Sequence, residues 1–567
     1  MSNTTPFDFE NPPWVKSYDP GIPARVEVPD IMLHEMLMET VRKHGDKPAV
    51  TFYGETLSYR ELLDHTMRVA AGLKKKGVGE DGCVAILSAN TIQFITVSYA
   101  AMMIGARACL LNPLWSMVQV DDTLRWINAD LVVVQDALLD RLGGVLDKWP
   151  AIVSSLDEYG SLSWKAKVRI GRLMGKLPKP PRKATCYRDL LKMGKIGEAE
   201  IYRGDPSDKV AALLFTGGTT GKPKTVMLTH KNIISNILYQ KIWFHREEGK
   251  DRVLGLLPFF HAYGFGSILG LTLMLGAHII LQVRYDPREF LELIAKYRIT
   301  LVPAAPTIYL NLLKVFTREQ LEKIRGIPEI CFSGAAPLPV EVMKKWEEIT
   351  GCPIVEGYGL TETSPVVAAN PVKGKKKPGS IGLPMPNTLV AIADPVEPRL
   401  IDGTGELVVS GLQVMKGYYN MPDENRRAFF ECCGYKWFRT GDIGYMDEEG
   451  YFYIVDRKKD VIKYKGHSVF PRTIEEVLYK HPCIAEAAVI GVPDPDVGEN
   501  IKAFIVLRDE CKDKVSEEDI KAWAKERLGL HEYPRLIEFR EELPKSRVGK
   551  ILRRVLREEE LKKLGKT

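Results

Sequence analysis

The chain has 567 residues, of which 45% are hydrophobic and 27% charged, and its formal net charge is +6. That length exceeds one ordinary hydrophobic core, and the composition is globular, which excludes a disordered, collagen-like or small disulfide-rich chain. The positive charge is local, because residues 165–183 hold eight Lys and Arg and no acidic residue, which leaves the rest of the chain slightly negative.

The elements predicted along the chain alternate between strand and helix. Apolar runs at 84–87, 131–134, 277–283 and 300–302 are typical of buried strands, and helical patterns follow at 91–104, 287–297 and 306–316. This alternation predicts parallel sheets with covering helices. Residues 265–283 carry no Lys, Arg, Asp or Glu, but Gly276 interrupts them, which favours a buried helix and strand over a membrane span.

The pattern changes after residue 379, where short strands and turns predict a smaller antiparallel or barrel-like subdomain. A charged string at 456–460 then precedes a compact unit of mixed helices and strands. We therefore predict an α/β protein with a large N-terminal domain (1–455), a hinge (456–460) and a small α+β C-terminal domain (461–567).

The cysteines and the N-terminus bear on the compartment. The nine cysteines show no metal-ligand spacing and are predicted to be separate reduced thiols, as in a cytosolic protein. The adjacent Cys432 and Cys433 are expected at a loop or strand end rather than as a redox pair. The N-terminal residues lack the basic and apolar regions of a secretory signal.

A loop rich in Gly, Thr and Lys follows the strand-like run 210–215. Its glycines let backbone N–H groups converge, and its hydroxyls and lysines suit a polyphosphate. It is not a Walker A loop, because Thr216 stands where a glycine is needed and Pro223 follows Lys222. Composition alone leaves a solvated hairpin turn open. The candidate phosphate-binding residues are Thr216, Gly217, Gly218, Thr219, Thr220, Gly221, Lys222 and Lys224.

Six further motifs follow this loop in the chain. They are 257–261 (LPFFH), 333–338 (SGAAPL), 356–362 (EGYGLTE), 437–442 (WFRTGD), 456–466 and 544–550 (PKSRVGK). Together with the loop they make seven motifs. In sequence and order these motifs resemble those of the adenylate-forming superfamily, which contains acyl-CoA synthetases, aryl-CoA ligases, peptide-synthetase adenylation domains and luciferases. The resemblance covers about 210 to 550, and the loop is most similar to that of long-chain fatty-acid–CoA ligases.

The resemblance implies a two-step reaction. ATP would activate a medium- to long-chain fatty acid as acyl-adenylate, and the acyl group would then pass to coenzyme A. The acid pocket is expected between residues 261–266 and 356–359. No acidic anchor for an amino group is evident near 261–266, which argues against an amino acid substrate. An aryl-CoA ligase of the same family and a non-catalytic acyl- or nucleotide-binding relative stay open as alternatives.

The resemblance also implies a role for each motif residue. Lys550, Thr361, Glu362 and His261 would be catalytic, with Glu362 as the Mg²⁺ ligand. Lys459 would be the pivot on which the C-terminal domain rotates, exchanging Lys550 for the segment 463–466. From the residues alone, Thr361-Glu362 could be a helix start, and Asp442 with Arg457 a surface ion pair. The nucleotide and coenzyme A contacts would include Gly334, Ala335, Ala336, Glu356, Gly357, Tyr358, Gly359, Asp442, Arg457, Lys463 and Gly466.

The basic segment 164–183 lies outside these motifs. Apolar residues alternate with its basic ones, as in an amphipathic helix; they are Trp164, Val168, Leu173, Met174 and Leu177. Two interpretations stay open: a solvated insertion, or peripheral attachment to anionic lipid. We expect no nucleic-acid partner and a cytoplasmic location with this segment facing the membrane. A homodimer stays open.

Overall fold

The computed structural model of the protein describes residues 7–179, 185–216, 224–465, 467–512, 514–545 and 551–564. Strands are numbered in chain order. Strands β1–β9 are Pro48–Phe52, Glu55–Ser58, Cys83–Leu87, Arg107–Leu110, Leu131–Gln135, Ala151–Ser154, Thr185–Cys186, Val210–Thr216 and Lys224–Thr229. Strands β10–β19 are Arg252–Gly255, His278–Leu281, Leu301–Ala304, Ile330–Ser333, Ile354–Gly359, Val366–Ala369, Leu383–Pro384, Leu389–Ala393, Gly405–Ser410 and Gly417–Tyr418. Strands β20–β27 are Phe429–Cys432, Tyr435–Met446, Phe452–Arg457, Ile462–Tyr464, His467–Val469, Ile484–Asp494, Gly498–Leu507 and Leu536–Phe539.

The helices are numbered in the same way. Helices α1–α9 are Leu33–His44, Tyr59–Lys75, Ile92–Met103, Met117–Trp126, Leu139–Leu142, Val145–Lys148, Leu162–Leu173, Tyr187–Met193 and His230–Trp243. Helices α10–α18 are Leu271–Met274, Pro287–Tyr297, Pro306–Val315, Arg318–Glu322, Val340–Thr350, Pro422–Ala428, Pro471–Tyr479, Glu517–Arg527 and Arg553–Lys563. Short 3₁₀ turns occur at Pro13–Ser17, Asp136–Leu138, Thr361–Thr363 and Asp509–Cys511, and a π-helix spans Tyr263–Gly270.

Two large, mainly parallel sheets form the N-terminal part. One has the order β19-β9-β8-β4-β3-β5-β6-β7 and the other β16-β15-β14-β13-β12-β10-β11-β1-β2. Every residue of α3 is buried, as expected of a helix packed inside an α/β core. The strand–helix alternation predicted from the sequence is confirmed, and with it the α/β fold class.

The smaller units follow. A five-stranded antiparallel sheet runs β17-β18-β21-β20, with β22 paired to β21, and confirms the predicted antiparallel subdomain. The C-terminal sheet runs β24-β23-β26-β25, with β27 parallel to β26. Its separate apolar core includes Ile474, Val489 and Ile505. A core of its own is what a distinct C-terminal domain requires.

The uncharged segment 265–283 is a buried helix and strand, as predicted. The π-helix Tyr263–Gly270 continues into α10, Gly276 with φ of 59° ends it, and β11 enters the sheet. Across the described ranges, no helix has both the length and the apolar composition needed to cross a membrane.

The expectation of nine separate reduced thiols is wrong. Cys83 forms a disulfide with Cys109, and Cys483 with Cys511. The first pair joins the neighbouring parallel strands β3 and β4. Cys83 and Cys109 are therefore close only because of the strand order in the sheet. Cys432 ends β20 and Cys433 lies in the following turn, as expected.

Candidate active site

A cavity of about 180 Å³ lies where the carboxyl ends of β13 and β14 face the π-helix. The carboxyl end of parallel strands is where α/β proteins bind ligands. The cavity includes His261 from one predicted motif, Gly334 and Ala335 from the second, and Thr361 from the third. The predicted acid pocket between 261–266 and 356–359 therefore coincides with a real cavity.

The lining of this cavity is uncharged. It includes the apolar side chains of Phe244, Leu257, Phe332, Val355 and Val366, and none of its described lining residues is Asp, Glu, Lys or Arg. Such a surface favours an apolar group over a charged one.

Glycine at position 264 allows the close approach that shapes this cavity. A Cβ there would lie 2.0 Å from the carbonyl oxygen of Pro258, which is backbone and cannot move aside cheaply. The π-helix can therefore contact the segment 257–261 only through a residue without a side chain.

Glu362 lies beside the cavity, in the 3₁₀ turn that follows β14. Its side chain is buried, and the Tyr418 hydroxyl donates a hydrogen bond of 2.9 Å to its Oε1. Burial raises the pKa of Glu362, while the Tyr418 hydroxyl and the charges of Arg457 and Lys224 act in the opposite direction. Glu362 is thus a desolvated acidic side chain whose charged form is favoured by a backbone N–H, by the Tyr418 hydroxyl and by two cations nearby.

The two ends of the Gly/Thr/Lys loop are fixed by a hairpin. Thr216, the last residue of β8, pairs with Lys224, the first of β9. The Lys224 ammonium lies 2.5 Å from the Glu424 carboxylate and 4.8 Å from the centre of the Tyr418 ring. Six of the predicted phosphate-binding residues lie outside the described part of the chain: Gly217, Gly218, Thr219, Thr220, Gly221 and Lys222.

Asp442 and Arg457 are cross-strand partners on β21 and β22. Arg457 Nε lies 3.0 Å from Asp442 Oδ1, and the Tyr358 hydroxyl donates to Asp442 Oδ2 at 2.6 Å. The Asp442 side chain is only 3% exposed, so this is not the surface ion pair that the residues alone allowed. The proximity of Asp442 raises the pKa of Arg457, which keeps the guanidinium charged.

Of the contacts predicted at 334–336 and 356–359, two lie outside the cavity lining. Glu356 precedes the lining residue Gly357 on β14, and its Oε1 accepts a hydrogen bond of 3.2 Å from the Leu338 N–H. Desolvation by the surrounding protein raises the pKa of Glu356 to about 7. Ala336 is half-buried in the turn after β13, whereas Gly334, Ala335, Gly357 and Gly359 line the cavity.

The hinge predicted at 456–460 is held by charged contacts from the C-terminal unit. Asp456 Oδ2 accepts a hydrogen bond from the Arg472 N–H at 2.7 Å, and Asp460 faces Arg553 at 3.4 Å. Lys459 is exposed, and its carbonyl faces Arg557 at 3.4 Å. The Lys463 N–H donates to Glu499 at 2.7 Å on the C-terminal sheet. Lys550 and Gly466 lie outside the described residues.

Sequence reasoning missed several residues of this site. Tyr418 belongs to no motif, and it reaches Glu362 because β19 pairs antiparallel with β9. Ser267 and Ser333 line the cavity, and the hydroxyls of both are buried without a hydrogen-bond partner among the described atoms. An unpaired buried hydroxyl is costly unless a ligand satisfies it, but no sequence pattern marks these serines.

Two family models match the chain. The AMP-binding enzyme model matches residues 37–419, and the model of the AMP-binding enzyme C-terminal domain matches residues 473–550. The chain belongs to the AMP-binding enzyme family. The resemblance inferred from the seven motifs is therefore confirmed.

Relatives in this family match nearly the whole chain. A long-chain-fatty-acid–CoA ligase of Bacillus subtilis (strain 168) is 39% identical, covering 97% of this chain and 98% of the relative. A 4-coumarate-CoA ligase of Narcissus pseudonarcissus is 31% identical, covering 94% of each. Among solved structures, ATP-bound MatB from Rhodopseudomonas palustris superposes with a TM-score of 0.82 at 28% identity, covering 94% of this chain and 99% of that one.

Proposed function

We propose that the protein activates a medium- to long-chain fatty acid with ATP, releasing pyrophosphate, and transfers the acyl group to coenzyme A. The observation that carries this proposal is the uncharged, largely apolar cavity that ends at Thr361, beside the buried carboxylate of Glu362. The family supports the chemistry, and relatives named as long-chain-fatty-acid–CoA ligases support the choice of acid.

The first step joins two anions. A carboxylate oxygen attacks the α-phosphorus of ATP, and the bond from that phosphorus to the pyrophosphate leaving group breaks. Neutralising the negative charge is most of the catalytic task. We assign that task to Lys224 and Lys550, with Thr361 donating to the α-phosphate and His261 contacting the acid at the cavity.

Magnesium fits the residues present. Mg²⁺ in nucleotide sites is held by one or two carboxylates together with substrate phosphates and water. Glu362 supplies such a carboxylate, and the described part of the chain contains no cluster of three or more His, Cys, Asp or Glu that could form a complete metal cage. Bound there, the ion would neutralise phosphate charge.

We assign the nucleoside to the neighbouring cluster. Asp442 would accept hydrogen bonds from the ribose hydroxyls, and Arg457 Nε, 3.0 Å from its carboxylate, would hold that side chain in place. Tyr358 would cover one face of the adenine, and the small residues 334–336 would line the other.

The second step forms the thioester. The thiol of coenzyme A attacks the acyl carbon, the bond from that carbon to the AMP oxygen breaks, and the thiol proton passes to solvent. We propose that the C-terminal domain (461–567) turns about Lys459 between the steps, bringing the segment from Lys463 to Gly466 into the site.

The experiment that tests this function compares acids. ATP–pyrophosphate exchange is measured with octanoate, palmitate, benzoate, 4-coumarate and alanine, followed by thioester formation with coenzyme A. We expect exchange with the two fatty acids, at least tenfold above the others. Exchange confined to benzoate or 4-coumarate would instead establish the aryl-CoA ligase that the Narcissus relative represents. No exchange with any acid would favour a binding protein.

We also propose that the protein is cytoplasmic and contacts an anionic membrane through residues 164–183. The fatty-acid substrates would partition into that membrane. Cell fractionation at low and high salt tests this location. A salt-releasable membrane fraction is expected, whereas a fraction confined to the supernatant at low salt would contradict it. A homodimer is testable by sedimentation velocity.

A further inference from the structure

Helix α7 (Leu162–Leu173) is fixed to the N-terminal domain through one face. The Trp164 ring stacks on Tyr53 with centroids 3.6 Å apart, and its Nε1–H donates to the Leu156 carbonyl at 2.8 Å. One turn further on, Val168 is buried, and Arg172 pairs with Asp136 and Asp157. These residues recur every four positions, so together they form the inner face of the helix.

The opposite face is apolar and exposed. Leu162 is 87% exposed, Ile170 54%, Leu173 78% and Met174 62%. On a helix of 3.6 residues per turn these side chains, with the exposed Ala166, lie on one side, pointing away from Trp164 and Val168. Four large apolar side chains clustered on one exposed face of a helix mark an interaction surface. We call these five residues the outer face of α7.

The charged side chains that residues 165–179 themselves contribute around this outer face are all basic. Lys165, Arg169 and Arg172 are used internally, pairing with Glu55, Asp157 and Asp136. By contrast Lys167, Lys176 and Lys179 are exposed and form no ion pair with any described residue. The lysines of the segment that form no ion pair therefore lie beside the outer face and just beyond its C-terminal end, with Glu289 within electrostatic reach of Lys167 and Asp140 and Asp147 near Lys179.

We propose that the outer face of α7 docks in the interfacial region of an anionic lipid bilayer, with Leu162, Ile170, Leu173 and Met174 inserted among the acyl chains. Lys167, Lys176 and Lys179 contact the lipid phosphates. An exposed apolar stripe beside unpaired lysines is the pattern of a helix that lies in the membrane plane, where apolar burial and attraction to anionic headgroups add. This inference deepens the proposed membrane contact and is independent of the reaction assigned to the enzyme.

The positive charge of the segment favours an anionic bilayer over other partners for the outer face. An apolar face alone would suit a second protein or a neutral surface equally well. The segment 165–183 contains no acidic residue, which disfavours self-association through this face because like charges would meet. An anionic bilayer satisfies both the lysines and the apolar side chains at once.

Vesicle co-sedimentation tests the proposal. The full-length protein is mixed with phosphatidylcholine vesicles, with or without 30% phosphatidylglycerol, at low and high salt. We expect binding to the anionic vesicles, weakened by salt. Each lysine near an anionic surface contributes a factor of about five, so the triple variant Lys167→Gln/Lys176→Gln/Lys179→Gln should bind about a hundredfold more weakly. The double variant Leu162→Ser/Leu173→Ser should lose at least tenfold.

Matched controls separate this face from general effects. Lys323→Gln/Lys373→Gln/Lys525→Gln removes three exposed lysines elsewhere, and Leu530→Ser removes a leucine that is 77% exposed on the C-terminal domain. Both controls should bind like the original protein. All variants should keep thioester formation with dissolved octanoate, which keeps failure of docking distinct from failure of the enzyme.

Three results would overturn the proposal. The first is equal binding to neutral and anionic vesicles, and the second is unchanged binding of the triple lysine variant. The third is a dimer in sedimentation velocity that dissociates in the Leu162→Ser/Leu173→Ser variant, because it would assign the outer face to a second copy of the chain.

Discussion

The hydrogen bond from Tyr418 to Glu362 offers a sharp test of the site. The Tyr418 hydroxyl lies 2.9 Å from Glu362 Oε1, and both side chains are buried. Tyr418→Phe removes this donor and keeps the ring against Lys224. A hydrogen bond to a charged group contributes about 1.5–3 kcal/mol, so ATP–pyrophosphate exchange should fall about 10- to 100-fold.

The pH profile distinguishes this effect from simple loss of structure. The hydroxyl lowers the pKa of Glu362, which burial raises. Without it the pKa of Glu362 rises further, so the acid limb of the exchange profile should move to higher pH and activity should recover in part as pH increases. A purely structural defect would lower activity equally at every pH.

The control is the neighbouring tyrosine. Tyr419 packs edge-on against Trp126 at 6.4 Å, and no hydrogen bond of its hydroxyl to the rest of the described chain is seen. Tyr419→Phe should leave exchange within twofold of the original. If Tyr418→Phe also stays within twofold, with an unmoved acid limb, then Glu362 does not depend on this hydrogen bond and the assigned geometry is wrong.

Three other substitutions test separate parts of the account. Lys550→Ala should lower ATP–pyrophosphate exchange at least a hundredfold, while pre-formed acyl-adenylate still gives thioester. An equal fall in both steps, or the same fall in the control Lys562→Ala, would refute a role of Lys550 in the first step alone. Asp442→Asn should weaken AMP binding about 10- to 100-fold in calorimetry, because it removes the charge facing Arg457; unchanged affinity would contradict the ribose assignment. Glu356 has an ordinary pKa of 4.5 and a folded-state pKa of about 7. Between those pH values the unfolded chain loses this proton first, so the free energy of unfolding falls as pH rises, by at most about 2 kcal/mol after solvent screening. Glu356→Gln should abolish that loss in melting curves at pH 5 and pH 8, and the exposed Glu341→Gln should not. An identical pH dependence of the two variants would contradict the raised pKa of Glu356.

The elements that were predicted correctly rest on local signals. Thr229, a residue type typical of helix starts, is the N-cap of α9, where its hydroxyl accepts from the Asn232 N–H at 3.1 Å. The helix expected at 287–297 is α11, which begins after the capping Asp286. Capping residues and hydrophobic periodicity lie within about one turn of the helix end or helix face that they determine. These signals can therefore be read from a single sequence.

Features that depend on distant strands were missed. Tyr418 meets Glu362 only through the pairing of β19 with β9, and Cys83 meets Cys109 only through sheet order. The sequence also grouped Trp164 and Val168 with Leu173 and Met174 as one apolar set. The structure separates them, because Tyr53 covers Trp164 and leaves the other face of α7 exposed.

The most direct test of the central claim follows oxygen atoms. Palmitate labelled with ¹⁸O in its carboxylate is converted with ATP and coenzyme A, and the products are analysed by mass spectrometry. Attack of the carboxylate on the α-phosphate followed by thiol attack on the acyl carbon transfers one labelled oxygen to AMP, and that is the result the account predicts. Label in pyrophosphate or inorganic phosphate, or unlabelled AMP alongside thioester, would show that no acyl-adenylate forms.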